Sequence, residues 1–341
     1  MISIYILPLL AAMFLAVNMG GSGTAPSFSA AYGAGLIRKD LIPGLFGLFV
    51  FFGAVIGSEK VIVTIGGDIL PSQNMTMNMS VIILLSVGLA LFFANLLKVP
   101  QSTSQATIFA LAGPAIYLDV LQTNRLFFEI IPTWFVTPLL AFLLSYGFAR
   151  FVYKPLAPKL SRLLETEKLH RTLQFIVIIT ACYVAFAIGS NNIANAAAPI
   201  LSLAVNVLEI EFGGSEFKLI MLIVVFMLAP MFGLGSSFLG DRVLKTTGKE
   251  ITKFGPLGAS YISIITASIL LLASLWRGIP ASLVQMNTAA IIGLGMIKDG
   301  HSYTLEKAPL VKIFTIWIVS PLIAMALSLL FTWLADLAGI L

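Results

Sequence analysis

Apolar residues gather into ten runs along the chain: 2–19, 42–58, 79–97, 105–121, 127–149, 172–188, 217–238, 255–275, 281–297 and 309–333. A helix needs about 20 apolar residues to cross the hydrocarbon of a bilayer. The longer runs meet that length. Several others are shorter and stop at clusters of Gly, Ser, Pro or Asn, so they predict broken helices or re-entrant hairpins. Irregular backbone at such depth persists only where protein or a wet cavity satisfies it. The pattern predicts an all-α polytopic membrane protein whose polar clusters lie at membrane depth. One cluster stands out: "AFAIGSNNIANAAAP", from Ala185 to Pro199, sets Asn191, Asn192 and Asn195 between apolar flanks.

Composition agrees. The chain is 59% hydrophobic and 10% charged, with a mean hydropathy of +1.01, whereas soluble domains carry about 25% charged residues. Cys182 is alone, which excludes an internal disulfide framework. The net charge of +5 is informative loop by loop and is not read as nucleic-acid affinity. Apolar residues follow Met1 with no basic stretch, which predicts a first spanning segment and not a cleaved leader.

The chain also repeats itself. "WFVTPLLA" at Trp134 returns as "WIVSPLIA" at Trp317, 183 positions on. "EKVIVTIGGDI" at Glu59 returns as "DRVLKTTGKEI" at Asp241, and "PQSTSQ" at Pro100 as "PASLVQ" at Pro280, at offsets of 182 and 180. "NMGGSGTAPS" around Gly20 then faces "AIGSNNIANA" around Gly189, at 169. Four matches in one order indicate a duplication.

Charge decides how the copies are oriented. The 150–171 linker holds Arg150, Lys154, Lys159, Arg162, Lys168 and Arg171 against Glu165 and Glu167, while its counterpart, the C-terminal tail, has Asp336 and no basic residue. Arg38 and Lys39 follow the first motif, whereas Glu209, Glu211 and Glu216 follow the second. Basic loops stay cytoplasmic. Equivalent loops therefore fall on opposite sides. The expected organisation is 1–149 as a first transmembrane repeat, 150–171 as a basic cytoplasmic linker and 172–341 as a second, inverted repeat. Five passing elements per half put both termini outside.

Inverted repeats with interrupted helices are the architecture of secondary transporters, which bind substrate where half-helix N-termini converge near the midplane. Pro100-Gln101-Ser102-Thr103-Ser104-Gln105 and Pro280-Ala281-Ser282-Leu283-Val284-Gln285 each precede an apolar run. Ser and Thr there would cap helix N-termini. Free backbone N–H groups and the positive dipole end make an anion site without formal charge. The asparagines could bind an anion or a cation, or serve as glue between helices. An intramembrane enzyme would need a nucleophile with a base; His170 and His301 fall in loops, outside any HExxH metal motif, and Cys182 has no evident partner. A channel remains a rival, separable by saturable, gradient-dependent uptake.

Over nearly its whole length the chain resembles the inorganic phosphate transporter (PiT) family. That family carries GANDVAN in each half and a later PxSTTH-like motif. Here the second copy reads Gly189-Ser190-Asn191-Asn192-Ile193-Ala194-Asn195, with asparagine for the aspartate, and the first reads Gly20-Gly21-Ser22-Gly23-Thr24-Ala25-Pro26. Gln105 and Gln285 stand where the family has histidine. The resemblance implies that Ser102, Thr103, Ser104 and Ser282, with Gln105, Leu283, Val284 and Gln285 around them, hold the anion. It implies a co-ion or anion role for Asn191, Asn192 and Asn195, and for Ser22, Gly23 and Thr24 at the weakened first copy. The systematic departures look like the divergent sulfate permease branch.

Chemistry supports a changed ligand. Phosphate near neutral pH still has a proton to donate, so its site welcomes a carboxylate or imidazole. Sulfate has none, and losing a carboxylate also removes its repulsion toward a dianion. The expectation is therefore sulfate import across the cytoplasmic membrane by cation-coupled symport, with phosphate as the alternative substrate. The chain is read as a transporter and not an enzyme. It is expected to need no cofactor beyond a co-transported sodium ion or proton. Glu59 and Asp241, at segment ends, are the candidates for proton coupling. The bilayer and the oxyanion are the expected partners, and a homodimer is compatible with the pattern.

Overall fold

Each of the ten apolar runs becomes a helix in the computed structural model, which describes residues 3–33, 35–96, 101–156, 167–251, 255–298, 300 and 310–341. We number the helices α1 (Ser3–Gly33), α2 (Ile42–Gly57), α3 (Glu59–Gly67), α4 (Met77–Leu96), α5 (Thr103–Tyr117), α6 (Thr123–Leu156), α7 (Glu167–Leu208), α8 (Ser215–Ile251), α9 (Gly255–Arg277), α10 (Leu283–Lys298) and α11 (Leu310–Leu337). The short α3 continues α2 past a bend at Ser58. No strand occurs among the described residues. Among the described residues, eight segments are long and apolar enough to cross a membrane, whereas α5 and α10 have only 15 and 16 residues. This is an all-α, multi-pass membrane protein.

One expectation is corrected. The polar clusters after the first and sixth runs do not break their helices: α1 runs on through "GGSGTAP" to Gly33, and α7 through "GSNNIAN" to Leu208. Their hydroxyls turn back onto the helix itself. Ser22 Oγ donates to the Met19 carbonyl at 3.1 Å, Thr24 Oγ1 to Gly20 at 2.7 Å, Ser27 Oγ to Gly23 at 3.0 Å and Ser190 Oγ to Ala187 at 3.0 Å. Such back-bonding satisfies a hydroxyl inside an intact helix. The interruptions fall instead before α5 and α10.

Packing relates the halves. The main crossings are α1 on α8 and α7 on α2; α5 packs on α11 as α10 packs on α6, and α1 on α4 as α7 on α9. Exchanging the halves turns each contact into its partner. Glycines let the crossings close. A Cβ at Gly20 would overlap the Phe232 carbonyl, and one at Gly189 would overlap that of Val50; Gly235 meets Val17 and Gly53 meets Phe186 in the same way. Backbone-to-backbone approach through small residues is how membrane helices gain contact without a hydrophobic drive. Phe52, Phe128, Phe135, Phe226, Phe238 and Trp333 are exposed on the outer faces, as suits hydrocarbon surroundings. At one end of the bundle the Gln122 N–H donates to the Ile69 carbonyl (3.1 Å), and the Tyr117 hydroxyl to Asp336 Oδ2 (2.7 Å). Near the start of α4, the Asn78 amide donates to the Ile340 carbonyl, so the α4–α5 hairpin begins and ends beside the C-terminus.

Candidate functional site

Two short helices start face to face. Ser102 has extended backbone, its Oγ accepts the Gln105 N–H at 3.4 Å, and its carbonyl accepts the Ala106 N–H at 3.1 Å. Ser282 does the same for Gln285 (3.4 Å) and Met286 (3.1 Å). Both serines are N-caps, which begin α5 and α10. No acceptor among the described residues meets the backbone N–H groups of Ser102, Thr103 and Ser104, or of Ser282, Leu283 and Val284. These are the orphan donors of a helix N-terminus, carrying the positive end of its dipole.

The residues that carry them line one pocket, which is partly open to solvent. Its walls are Gln101–Ser104 and Ala281–Val284 from the two helix starts, Ser22, Gly23 and Pro26 from α1, and Ile188 and Asn192 from α7. Among the described residues, no acidic, basic or histidine side chain lines it. What it offers is hydroxyl, amide and backbone N–H, a donor-rich neutral surface suited to an oxyanion.

The three asparagines part ways. Asn192 lines the pocket. Asn191 is wholly buried away from it; its Nδ2 donates to Ser274 Oγ (2.8 Å) and the Ile279 carbonyl (3.3 Å). Asn195 is also fully buried; its Nδ2 lies 3.5 Å from Ser104 Oγ, and its Oδ1 has no partner among the described residues. Ser104 Oγ lies 3.3 Å from Asn191 Oδ1 and 3.2 Å from the Ala281 carbonyl, so its one hydrogen serves either acceptor. Trp134 Nε1 donates to the Pro280 carbonyl at 2.9 Å. Side chains thus meet the successive carbonyls of Ile279, Pro280 and Ala281, the irregular backbone before α10. Buried non-helical backbone requires such partners.

Of the residues expected from sequence, Ser22, Gly23, Ser102, Thr103, Ser104, Asn192, Ser282, Leu283 and Val284 come together around the pocket. Thr24, Gln105, Gln285, Asn191 and Asn195 do not line it. Asn191 and Asn192 belong to a cluster whose pattern predicts a helix break; both lie within the continuous α7. Gln105 and Gln285 were expected to touch the anion, but their amides are buried against each other. Gln105 Nε2 donates to Gln285 Oε1 at 3.2 Å, and Gln285 Nε2 to Gln105 Oε1 at 3.0 Å. Glu59 is half exposed and pairs with Lys218 at 3.3 Å. Pro100 and His301, and the side chains of His170 and Asp241, lie outside what is described; the backbone of His170, expected in a loop, belongs to the first turn of α7.

Sequence reasoning passed over Gln101, Pro26 and Ile188 in the wall, although Gln101 stood inside a cluster already singled out. It also missed a charged group that joins the end of α3, the start of α6 and the end of α9. Arg125 Nη1 lies 2.6 Å from Asp68 Oδ2, its Nη2 donates to the Arg277 carbonyl (3.3 Å), and Arg277 Nη2 reaches Glu129 at 3.4 Å. Burial pushes the Asp68 carboxyl above its ordinary value, against the pull of Arg125. Arg125 and Glu129 are an i,i+4 pair, but Asp68 and Arg277 are far from them in sequence, and no local pattern announces the group.

The family model described as "Phosphate transporter family" matches residues 19–328, which contain both helix starts and both glycine crossings. The chain belongs to the phosphate transporter family. It is 35% identical over 326 residues to the sulfate permease CysP of Bacillus subtilis (strain 168), covering 94% of this chain and 85% of that one. It is 30% identical over 238 residues to a probable low-affinity inorganic phosphate transporter of the same organism, 68% of each chain. Among solved structures, the sodium-dependent phosphate transporter superposes with a TM-score of 0.81, covering 98% of this chain and 99% of that one at 22% identity. At that identity the likeness establishes the fold. The family places this chain among transporters and permeases of inorganic anions, and residues 19–328 carry both polar helix starts that the sequence singled out.

Proposed function

We propose that this protein imports inorganic sulfate across the cytoplasmic membrane by cation-coupled symport with alternating access. The carrying observation is the lining of the pocket: two helix starts, hydroxyls and amides, with no carboxylate or imidazole among the described residues. A fully deprotonated dianion needs donors only. A carboxylate in that wall would repel it, and the more strongly for being in a low-dielectric site. The likeness to the B. subtilis sulfate permease supports the same substrate. Phosphate is the second reading, supported by the family and by the phosphate transporters that share the fold.

Ser102 and Ser282 hold the helix starts open, and Thr103, Asn192 and the six free N–H groups bind the oxyanion. Sodium is the first choice of co-ion, with the buried Asn195 Oδ1 as an oxygen ligand candidate; a proton is the alternative. The chain divides into 1–149 and 172–341 as inverted repeats about the 150–171 linker, with both termini outside. The packing exchanges seen between the halves, and the opposite charge of equivalent loops, support that reading. Rocking of one hairpin against the other would open the pocket to either side in turn. Uptake of radiolabelled sulfate and phosphate by proteoliposomes, under imposed sodium or proton gradients, tests substrate and coupling together.

A further inference from the structure

Ser102-Thr103-Ser104-Gln105 and Ser282-Leu283-Val284-Gln285 both spell a capping box, Ser-x-x-Gln. In such a box the serine takes the N–H of the third helical residue, and the glutamine side chain reaches back to the N–H of the serine. Here only the first half forms. The serine oxygens accept from Gln105 and Gln285 N–H, but the two glutamine amides cross between the halves and bond each other at 3.2 and 3.0 Å. Both are nearly buried, at 7% and 5% exposure, and neither faces the pocket.

The diversion has two consequences. The N–H groups of Ser102 and Ser282 keep no side-chain acceptor, and each remains available to a ligand. The two helix starts are also tied together one turn inside their caps. Each amide pair member is fixed by its own backbone N–H at the cap and by its side chain across the interface. The distance between the two sets of free donors is therefore set by this pair. We propose that Gln105 and Gln285 are positioning residues. Their reciprocal amide pair withholds the capping-box bond from both helices and sets the donor spacing that selects the oxyanion by size. This rests on the reading of the pocket as an oxyanion site.

The test uses the purified full chain in detergent or proteoliposomes, titrated with sulfate and with the larger tetrahedral molybdate, alongside a melting profile. In Gln105→Met, the widowed Gln285 is free to fold back onto the Ser282 N–H and compete with the anion. Gln285→Met does the same at Ser102. Each single variant should bind sulfate at least about tenfold more weakly. In the double variant, Gln105→Met with Gln285→Met, no amide is left to close either box. Sulfate should bind more tightly than in either single variant, while the preference for sulfate over molybdate falls below that of the parent. A merely structural pair would change melting and leave both the affinity of the folded fraction and the selectivity ratio alone.

Parent-like affinity in the single variants, or a parent-like selectivity ratio in a stable double variant, would overturn the proposal. If the single variants fail to fold, the double variant decides by its ratio. Failure of the double variant to fold also counts against it, because exchanging both partners for apolar side chains of similar length should leave the core intact. A parent protein that binds neither sulfate nor phosphate would instead refute the proposed function.

Discussion

Asn191 and Asn192, adjacent on α7, project about 100° apart around the helix, and they serve different parts of the protein. Asn191 is buried and ties α7 to Ser274 and to the Ile279 carbonyl before α10. Asn192 faces the pocket. Asn191→Ala should therefore cost about 1–3 kcal/mol of stability, since it strands buried partners, with a lower melting temperature as the readout. Asn192→Ala should melt like the parent and bind sulfate more weakly by isothermal titration. The reverse pattern would mean that the two roles are exchanged.

Thr103 and Ser102 separate binding from capping. The Thr103 hydroxyl lines the pocket with no structural bond among the described residues, whereas Ser102 also caps α5. Thr103→Val should lower sulfate affinity about tenfold to a hundredfold, the loss of one donor to a charged ligand, with an unchanged melt. Ser102→Ala should add to that a cap loss of about 1 kcal/mol. Normal affinity in both variants would remove the helix starts from the site.

The glycine crossings carry a prediction about assembly of the bundle. A Cβ at Gly235 would overlap the Val17 carbonyl, which belongs to backbone and cannot swing aside. Gly235→Ala should cost about 1–3 kcal/mol by overpacking, seen as reduced yield of folded protein and a lower melting temperature. An unaffected melt would show that α1 and α8 can separate freely at that crossing.

Much of this was legible in the sequence because its signals are local. A run of apolar residues makes a membrane helix whatever lies elsewhere, so all ten runs appear. Ser102 and Ser282 precede apolar runs, so both helix starts were found. Two kinds of feature escaped. The motifs at Gly20 and Gly189 read as helix breakers, yet their hydroxyls bond back to carbonyls three and four residues earlier and the helices continue. The Gln105–Gln285 pair, and the ties of Asp68 and Arg277 to Arg125 and Glu129, join residues that only the tertiary fold brings together. Local pattern carries no record of such partners.

Asp68 provides a pH prediction. Its carboxyl sits above the ordinary value of 3.8 because burial outweighs Arg125, with Glu129 pushing the same way as burial. Between 3.8 and the raised value the folded protein holds a proton that the unfolded chain releases. Stability from this group is thus full below that window and is lost as pH rises through it. Asp68→Asn has no proton to lose. The melting temperature of the parent minus that of the variant should fall as pH rises from 3.8 and then level off. A difference that grows with pH would show that the ion pair with Arg125 dominates instead.

The most direct test is competition for uptake. Proteoliposomes containing the parent protein should accumulate radiolabelled sulfate saturably when a sodium or proton gradient is imposed, and excess phosphate should inhibit much less than excess unlabelled sulfate. Accumulation of phosphate in preference to sulfate would contradict the assignment of a donor-rich, neutral pocket to a fully deprotonated dianion.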